Sequence, residues 1–201
     1  MRIYEIFASI QGEGLYVGTP QVFVRVAGCN IRCVWCDSKK AWGTGKDMSV
    51  KEVLARIESF RLKSVCITGG EPLVQIKELG ELVGELKKKG YFVLLETNGT
   101  IFDEEIFSLV DCVDMDVKAP SSGEQSNESI IEKLKPKDYV KVVVGTDEDF
   151  LFAKKIRKKS KVSVVIQPEA ESDWKNIAQK VVNERLDVRV IPQIHKILKV
   201  E

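Results

Sequence analysis

Three cysteines stand within eight residues, as Cys29-Asn-Ile-Arg-Cys33-Val-Trp-Cys36, followed directly by Asp37 and Ser38. The run before them, Val22-Phe-Val-Arg-Val-Ala-Gly28, reads as a strand that ends on a glycine. A strand end opening into a short loop of thiols is a place to hold a metal. Thiolates suit zinc and iron–sulfur clusters. A structural zinc site needs four ligands, and no fourth lies nearby: His195 is distant in sequence, and Cys66 and Cys112 fall inside apolar runs. A 4Fe–4S cluster normally takes four cysteines, so three leave one iron open to chemistry. Zinc, a disulfide and idle thiols are the competing readings. Cys66 and Cys112 read as small buried hydrophobes.

Other chemistry-bearing residues fall at the ends of apolar runs. Thr68-Gly-Gly-Glu-Pro72 follows one, Glu96-Thr-Asn98 another, Asp116-Val-Lys118 a third and Gln167-Pro168 a fourth. Strands are expected at residues 3–8, 21–27, 64–67, 91–96, 113–117, 139–144, 162–167 and 187–191. Helices are expected between most of them. Ser49-x-x-Glu52 has the form of a capping box ahead of a helix over 49–60. Ile76, Leu79, Leu82, Val83 and Leu86 mark a second helix, with Gly90 placed to end it. Residues 103–109 form a short third helix, and another follows a polar stretch near 129–134. Asp147 is positioned to cap a helix carrying Phe150, Leu151 and Ile156, and Trp174, Ile177, Ala178 and Val181 mark the last.

Strands alternating with helices imply β-α-β units and a mostly parallel sheet. The chain is too short for a full eight-stranded barrel of about 250 residues. The expected fold is therefore α/β, an incomplete TIM-type β/α barrel, with a doubly wound open sheet as the alternative. Both collect ligands at the carboxyl ends of their strands, where the polar signals lie. That placement points to an enzyme.

Length and composition bound the rest. The 201 residues read as one domain, 1–201, and 44% hydrophobic residues suffice for a core. With 31 basic against 30 acidic residues the formal net charge is +1, which gives no electrostatic case for nucleic acid or an anionic membrane. The apolar runs are too short for a bilayer, and the N-terminal alternation lacks a signal-peptide core. A cytoplasmic location is the expectation by default. Five cysteines, three of them crowded, favour metal or redox chemistry over a disulfide framework.

C-x3-C-x2-C with an aromatic, Trp35, before its last cysteine resembles the signature of the radical S-adenosylmethionine (SAM) enzymes. Thr68-Gly69-Gly70-Glu71-Pro72 looks like the stretch that meets the methionyl end of the cofactor in that superfamily. Gln11-Gly12-Glu13-Gly14, Gly18-x-Pro20, Arg25, Cys36-Asp37-Ser38 and Gln193-Ile194-His195-Lys196 together resemble the 7-carboxy-7-deazaguanine synthase family. The resemblance implies an abridged radical SAM core. It also implies ring contraction of 6-carboxy-5,6,7,8-tetrahydropterin with loss of ammonia, on the route to queuosine and related 7-deazapurines. A 4Fe–4S cluster, S-adenosylmethionine and Mg2+ would be needed. A homodimer and a flavodoxin- or ferredoxin-type electron donor are expected with it, and neither a nucleic-acid nor a membrane partner.

Residue roles follow from the matched motifs. Cys29, Cys33 and Cys36 would bind the cluster. Trp35, Cys36, Asp37 and Gly70 would line S-adenosylmethionine, with Asp116, Val117 and Lys118 nearer its ribose and Glu96 and Gln167 as further contacts. Ile10, Gln11, Gly12 and Glu13 would meet the substrate, largely through backbone. Arg25 would pair with its carboxylate, and Thr68 and His195 would bond the pterin. Ser38 stands where the family usually has a threonine that ligates Mg2+, and it keeps the hydroxyl. The alternatives are a radical SAM activase that installs a glycyl radical on a protein and a small iron–sulfur or zinc protein without catalysis.

Overall fold

The computed structural model describes residues 1–200. The chain forms two compact units. The first comprises Met1–Ser9, Pro20–Thr97 and Ile101–Val113, and the second Ile10–Thr19, Asn98–Thr100 and Asp114 onward.

In the first unit, strands β1 (Arg2–Ile10), β2 (Pro20–Val26), β3 (Lys46–Asp47), β4 (Ser64–Gly69) and β5 (Phe92–Thr97) lie in the order β3-β1-β2-β4-β5. β2, β4 and β5 run parallel, with Arg25 opposite Thr68 and Val65 opposite Val93. The short β3 pairs antiparallel with β1 at the edge; nothing in its composition, Lys-Asp, predicts a strand. The parallel strands are uninterrupted apolar runs because both their faces are covered. Val22, Val24, Val65, Cys66, Ile67, Val93, Leu94 and Leu95 have no exposed surface.

The crossover helices are α1 (Val50–Ser59), α2 (Ile76–Lys88) and α3 (Glu104–Leu109). α1 starts on the expected capping box: Glu52 N–H donates to the Ser49 hydroxyl, and the Ser49 N–H to the Glu52 carboxylate at 2.7 Å. It buries Val53, Leu54 and Ile57, and α2 buries Leu79, Leu82, Val83 and Leu86. Gly90 follows α2 with φ +72°, as a C′ glycine should. The lysines that end α2 are not merely solvated. Lys87 reaches both Asp111 carboxylate oxygens, and Lys89 pairs with Glu58.

β6 (Cys112–Asp116) begins in the first unit and continues into the second. There it is followed by β7 (Tyr139–Val144), β8 (Ser163–Pro168) and β9 (Arg189–Val190), each parallel to the one before. The helices are α4 (Asp147–Lys159), α5 (Trp174–Asn183) and α6 (Ile194–Leu198). α4 corrects one expectation. Its cap is Thr146, not Asp147, and Asp149 closes the capping box. Asp149 also accepts the Ser121 and Gly145 amides, so it is buried and held ionised despite that burial. The segment expected to be helical near 129–134 is a 3-10 helix, Glu128–Lys133, and α6 was not expected at all. No helix among the described residues is long and apolar enough to cross a membrane.

Candidate active site

In the first unit the cysteine loop hangs from the end of β2 and is clamped by the end of β4. The Gly70 N–H donates to Val26 O at 3.0 Å, and the Glu71 N–H to Gly28 O at 2.8 Å. A Cβ on Gly70 would stand 1.9 Å from Gly28 O, so the approach of these two backbones requires glycine. Glu71 is fully buried; its carboxylate accepts from the Leu73 N–H and from the Thr97 hydroxyl at 2.9 Å. It therefore acts as a brace under the Gly-Gly turn. Within the loop, Arg32 donates to the carbonyls of Cys29 and Ile31 and lies over the Trp42 ring.

All five cysteines are free thiols. Cys66 and Cys112 are fully buried in β4 and β6, as the sequence reading expects. Cys29 and Cys36 are half-buried and Cys33 is buried. Burial pushes the Cys29 thiol above its ordinary value, opposed by the Ile31 amide and reinforced by the charges of Glu71 and Cys36, with Arg32 lowering it. Crowded, partly sheltered thiols that disfavour one another's charge are matched by a strongly cationic centre. The donor set thus fits a cluster held by three cysteines.

Two further predicted residues meet beside this loop. Arg25 donates through Nε to Glu5 and through Nη1 to the Ser38 hydroxyl, both at 2.8 Å. Ser38 in turn donates to Asp37 Oδ1 at 3.0 Å. Arg25 also lies over Phe7, which stacks on Phe23. Arg25 is thus no solvent-facing strand residue: its side chain is 21% exposed and its plane is fixed by Glu5. Thr68 and Glu96 bond to each other, Oγ1 to Oε2 at 2.7 Å. They occupy the ends of adjacent strands, where both were expected to face ligands. Trp35 is half-buried in the loop.

The second unit joins residues from opposite ends of the chain. The Glu13 carboxylate accepts Lys141 Nζ at 2.6 Å on one oxygen and Gln193 Nε2 at 2.5 Å on the other. The Glu13 N–H donates to Gln11 Oε1, and the Gln11 backbone bonds Thr19 O and the Gly18 N–H. The Ile194 N–H donates to Gly12 O at 2.9 Å. His195 is seated directly on Gly12, where an added Cβ would meet its ring nitrogen at 2.1 Å. Gly14 has φ +62°, and a Cβ there would meet the Tyr139 hydroxyl at 2.0 Å. The glycines of Gln11-Gly-Glu-Gly14 thus serve close packing against β7 and α6. Ile10, which opens this loop, is half-buried.

Beneath the loop lies a buried charge cluster. Lys141 Nζ is 3.5 Å from both Asp114 Oδ2 and Asp116 Oδ2, and the Tyr139 hydroxyl donates to Asp114 at 2.8 Å. Lys118 pairs with Asp116 at 3.1 Å, and the Val117 and Lys118 amides go to Lys141 O and the Ser126 hydroxyl. Gln167 is 1% exposed, and neither atom of its amide makes a well-formed hydrogen bond, although it stands near enough to Glu13 to help keep that carboxylate charged. Such an unsatisfied buried amide is costly unless a ligand uses it.

Burial alone would raise the pKa of Glu13, but Lys141, with help from Gln167 and Gln193, outweighs it and holds the carboxylate well below the usual range. A folded value below the ordinary value of about 4.5 contributes stability above that pH and loses it as the pH falls below. Glu13→Gln is therefore expected to be less stable than the parent at pH 7, with the gap in Tm shrinking toward pH 3. A gap that stays constant across that range sinks the assignment.

Glu5, Lys141, Asp114 and Tyr139 were missed by the sequence reading. Lys141 did leave a signal: it is the only charge in Tyr-Val-Lys-Val-Val-Val, a strand every residue of which is buried. Glu5 left none, since an acid in an alternating strand ordinarily faces water.

A family model described as the radical SAM superfamily matches residues 23–181, from β2 through α5. That class implies a 4Fe–4S cluster and S-adenosylmethionine, which the cysteine loop fits, and the fold is the abridged β/α barrel of the class. Among relatives, the 7-carboxy-7-deazaguanine synthase of Methanospirillum hungatei is 44% identical over 98% of this chain and 85% of its own length. That of Thermoplasma acidophilum is 43% identical over 98% and 97%. The crystal structure of QueE from Escherichia coli superposes with a TM-score of 0.76 at 24% identity, covering 96% of this chain and 93% of that one. The chain belongs to the 7-carboxy-7-deazaguanine synthase family of radical SAM enzymes. It is a lyase of 7-deazapurine biosynthesis.

Proposed function

We propose that the protein converts 6-carboxy-5,6,7,8-tetrahydropterin to 7-carboxy-7-deazaguanine with loss of ammonia. The observation that carries this reading is the Glu5–Arg25–Ser38–Asp37 chain of bonds set two residues beyond Cys36. It places a fixed guanidinium, suited to a carboxylate, beside a hydroxyl suited to Mg2+. Cys29, Cys33 and Cys36 hold the cluster. When bound, the cluster and S-adenosylmethionine supply the one-electron chemistry that removes a hydrogen atom from the substrate.

The protein's own groups bind and orient. Trp35, Cys36, Asp37, Gly70, Glu96, Asp116, Val117, Lys118 and Gln167 contact S-adenosylmethionine, and the unsatisfied Gln167 amide gives that set a donor and an acceptor. Ile10, Gln11, Gly12, Glu13, Arg25, Thr68 and His195 take the pterin. Ser38 would offer its hydroxyl oxygen to Mg2+, and Arg25, which donates to that oxygen in the structure, would offer its remaining Nη protons to the substrate carboxylate. Residues 1–201 work as a single radical SAM domain within a homodimer, reduced by a flavodoxin- or ferredoxin-type donor.

The test is anaerobic reconstitution with iron and sulfide, followed by incubation with the carboxytetrahydropterin, S-adenosylmethionine, a reductant and Mg2+. Deazaguanine product is expected, with S-adenosylmethionine regenerated rather than consumed and the rate falling when Mg2+ is chelated. An intact cluster with no product refutes the reading. Consumption of one S-adenosylmethionine per event on a polypeptide points instead to protein activation.

A further inference from the structure

We infer that Lys141 is a positioning residue of this enzyme: acting through Glu13, it joins the Gln11–Gly14 loop and the Gln193–His195 segment into one substrate-binding wall. Nothing about the fold of β7 demands a cation at this position. The other five residues of the strand are Tyr and Val, so the packing of the strand itself does not account for a charge here. Instead a lysine with a side chain only 4% exposed sits at the centre of Glu13, Asp114 and Asp116.

Its shortest contact, 2.6 Å, is to Glu13 and not to the strand neighbours Asp114 and Asp116, each at 3.5 Å. Each carboxylate has a second partner, Tyr139 for Asp114, Lys118 for Asp116 and Gln193 for Glu13, so the shorter contact is what marks Glu13 as the partner of Lys141. Glu13 then passes the constraint on. Its second oxygen holds Gln193 Nε2, and Gln193 Oε1 holds Lys196 Nζ at 2.6 Å. The backbone bond from Ile194 to Gly12 O runs beside this pair and closes a ring between loop and helix. His195, the residue after Ile194, is seated on Gly12 beside this ring.

Without the cation, Glu13 would be a largely sheltered carboxylate left with the Gln193 amide and would turn toward water or take up a proton. Either change opens the ring. The wall would lose its register, while the cysteine loop, which hangs from the Val26 and Gly28 backbone, would keep its own bonds. The effect should therefore appear in the use of the pterin and not in cluster loading.

The inference rests on the substrate-binding role proposed for this wall. Its test is a double-mutant cycle on the reconstituted full chain with Lys141→Met, Glu13→Gln and the pair. Lys141→Met alone is expected to raise the KM for the pterin about tenfold or more, well beyond any rise in that for S-adenosylmethionine, with iron content unchanged. In the Glu13→Gln background the same change should matter less than about threefold, because the residue through which it acts is already altered. Effects that multiply, or a Lys141→Met variant with parental KM, overturn the inference. A parent protein that makes no product removes the proposed function instead. Should Lys141→Met not fold, amide hydrogen exchange on Glu13→Gln decides the matter. The Ile194 amide is expected to exchange faster than in the parent, and unchanged exchange overturns the ring.

Discussion

Gly70→Ala is expected to lose most of its iron–sulfur cluster and to retain at most about a hundredth of the parental activity, since even an ångström of misplacement can cost that much. The added Cβ would stand 1.9 Å from Gly28 O and 3.0 Å from Cys29 N. Both are backbone atoms, so no side-chain rotation relieves the clash. The Gly70–Val26 and Glu71–Gly28 bonds must break or the cysteine loop must move. Overpacking of this severity costs on the order of 3 kcal/mol. Iron per chain after anaerobic reconstitution and the thermal midpoint check the two halves of the prediction. Gly84→Ala is the control. Nothing lies within 4 Å of its Cβ position in α2, so it should be stable by up to about 1 kcal/mol more than the parent and fully active. Normal iron loading in Gly70→Ala would show that the clamp does not position the cysteines.

Arg25→Lys should leave the cluster intact and cut kcat/KM for the pterin about 100-fold. Arg25 already commits Nε to Glu5 and one Nη1 proton to Ser38, and still has Nη protons to offer a ligand carboxylate. A lysine ammonium cannot serve Glu5, Ser38 and a ligand in one geometry. Two charge-assisted bonds at about 1.5 kcal/mol each account for the expected loss of about 3 kcal/mol. The loss should fall mainly on KM for the pterin, with that for S-adenosylmethionine unmoved. Glu5→Gln keeps an acceptor near Nε and should cost tenfold or less. If Arg25→Lys binds the pterin as well as the parent, the carboxylate is held elsewhere.

Local sequence was enough to give the cysteine loop its chemistry. Three thiols at C-x3-C-x2-C, an aromatic between the last two and the absence of a nearby fourth ligand are all short-range facts. The β-α alternation was equally legible, because apolar runs of five or six residues ending on Gly, Thr or Asp are what parallel strands buried on both faces require. The same logic located the polar strand ends. It failed at α6 and β3, which are short and have no periodic apolar face to announce them. It also misassigned the α4 cap by one residue, since Thr146 and Asp147 are both good caps and only the geometry chooses between them.

What the chain alone could not decide is which distant groups touch. Thr68 and Glu96 were assigned to different ligands, yet adjacent strand ends bond them to each other. Glu13 read as a loop acid, and Lys141 as one lysine among many. Their pairing follows from parallel strand register and a loop return 128 residues apart in sequence. The sequence by itself determined the donor atoms and the class of chemistry, because these reside in residue types at short spacing. The tertiary structure alone decided the charge partners, since ion pairs between remote residues form only where the sheet brings them within a few ångströms and burial removes the competing water.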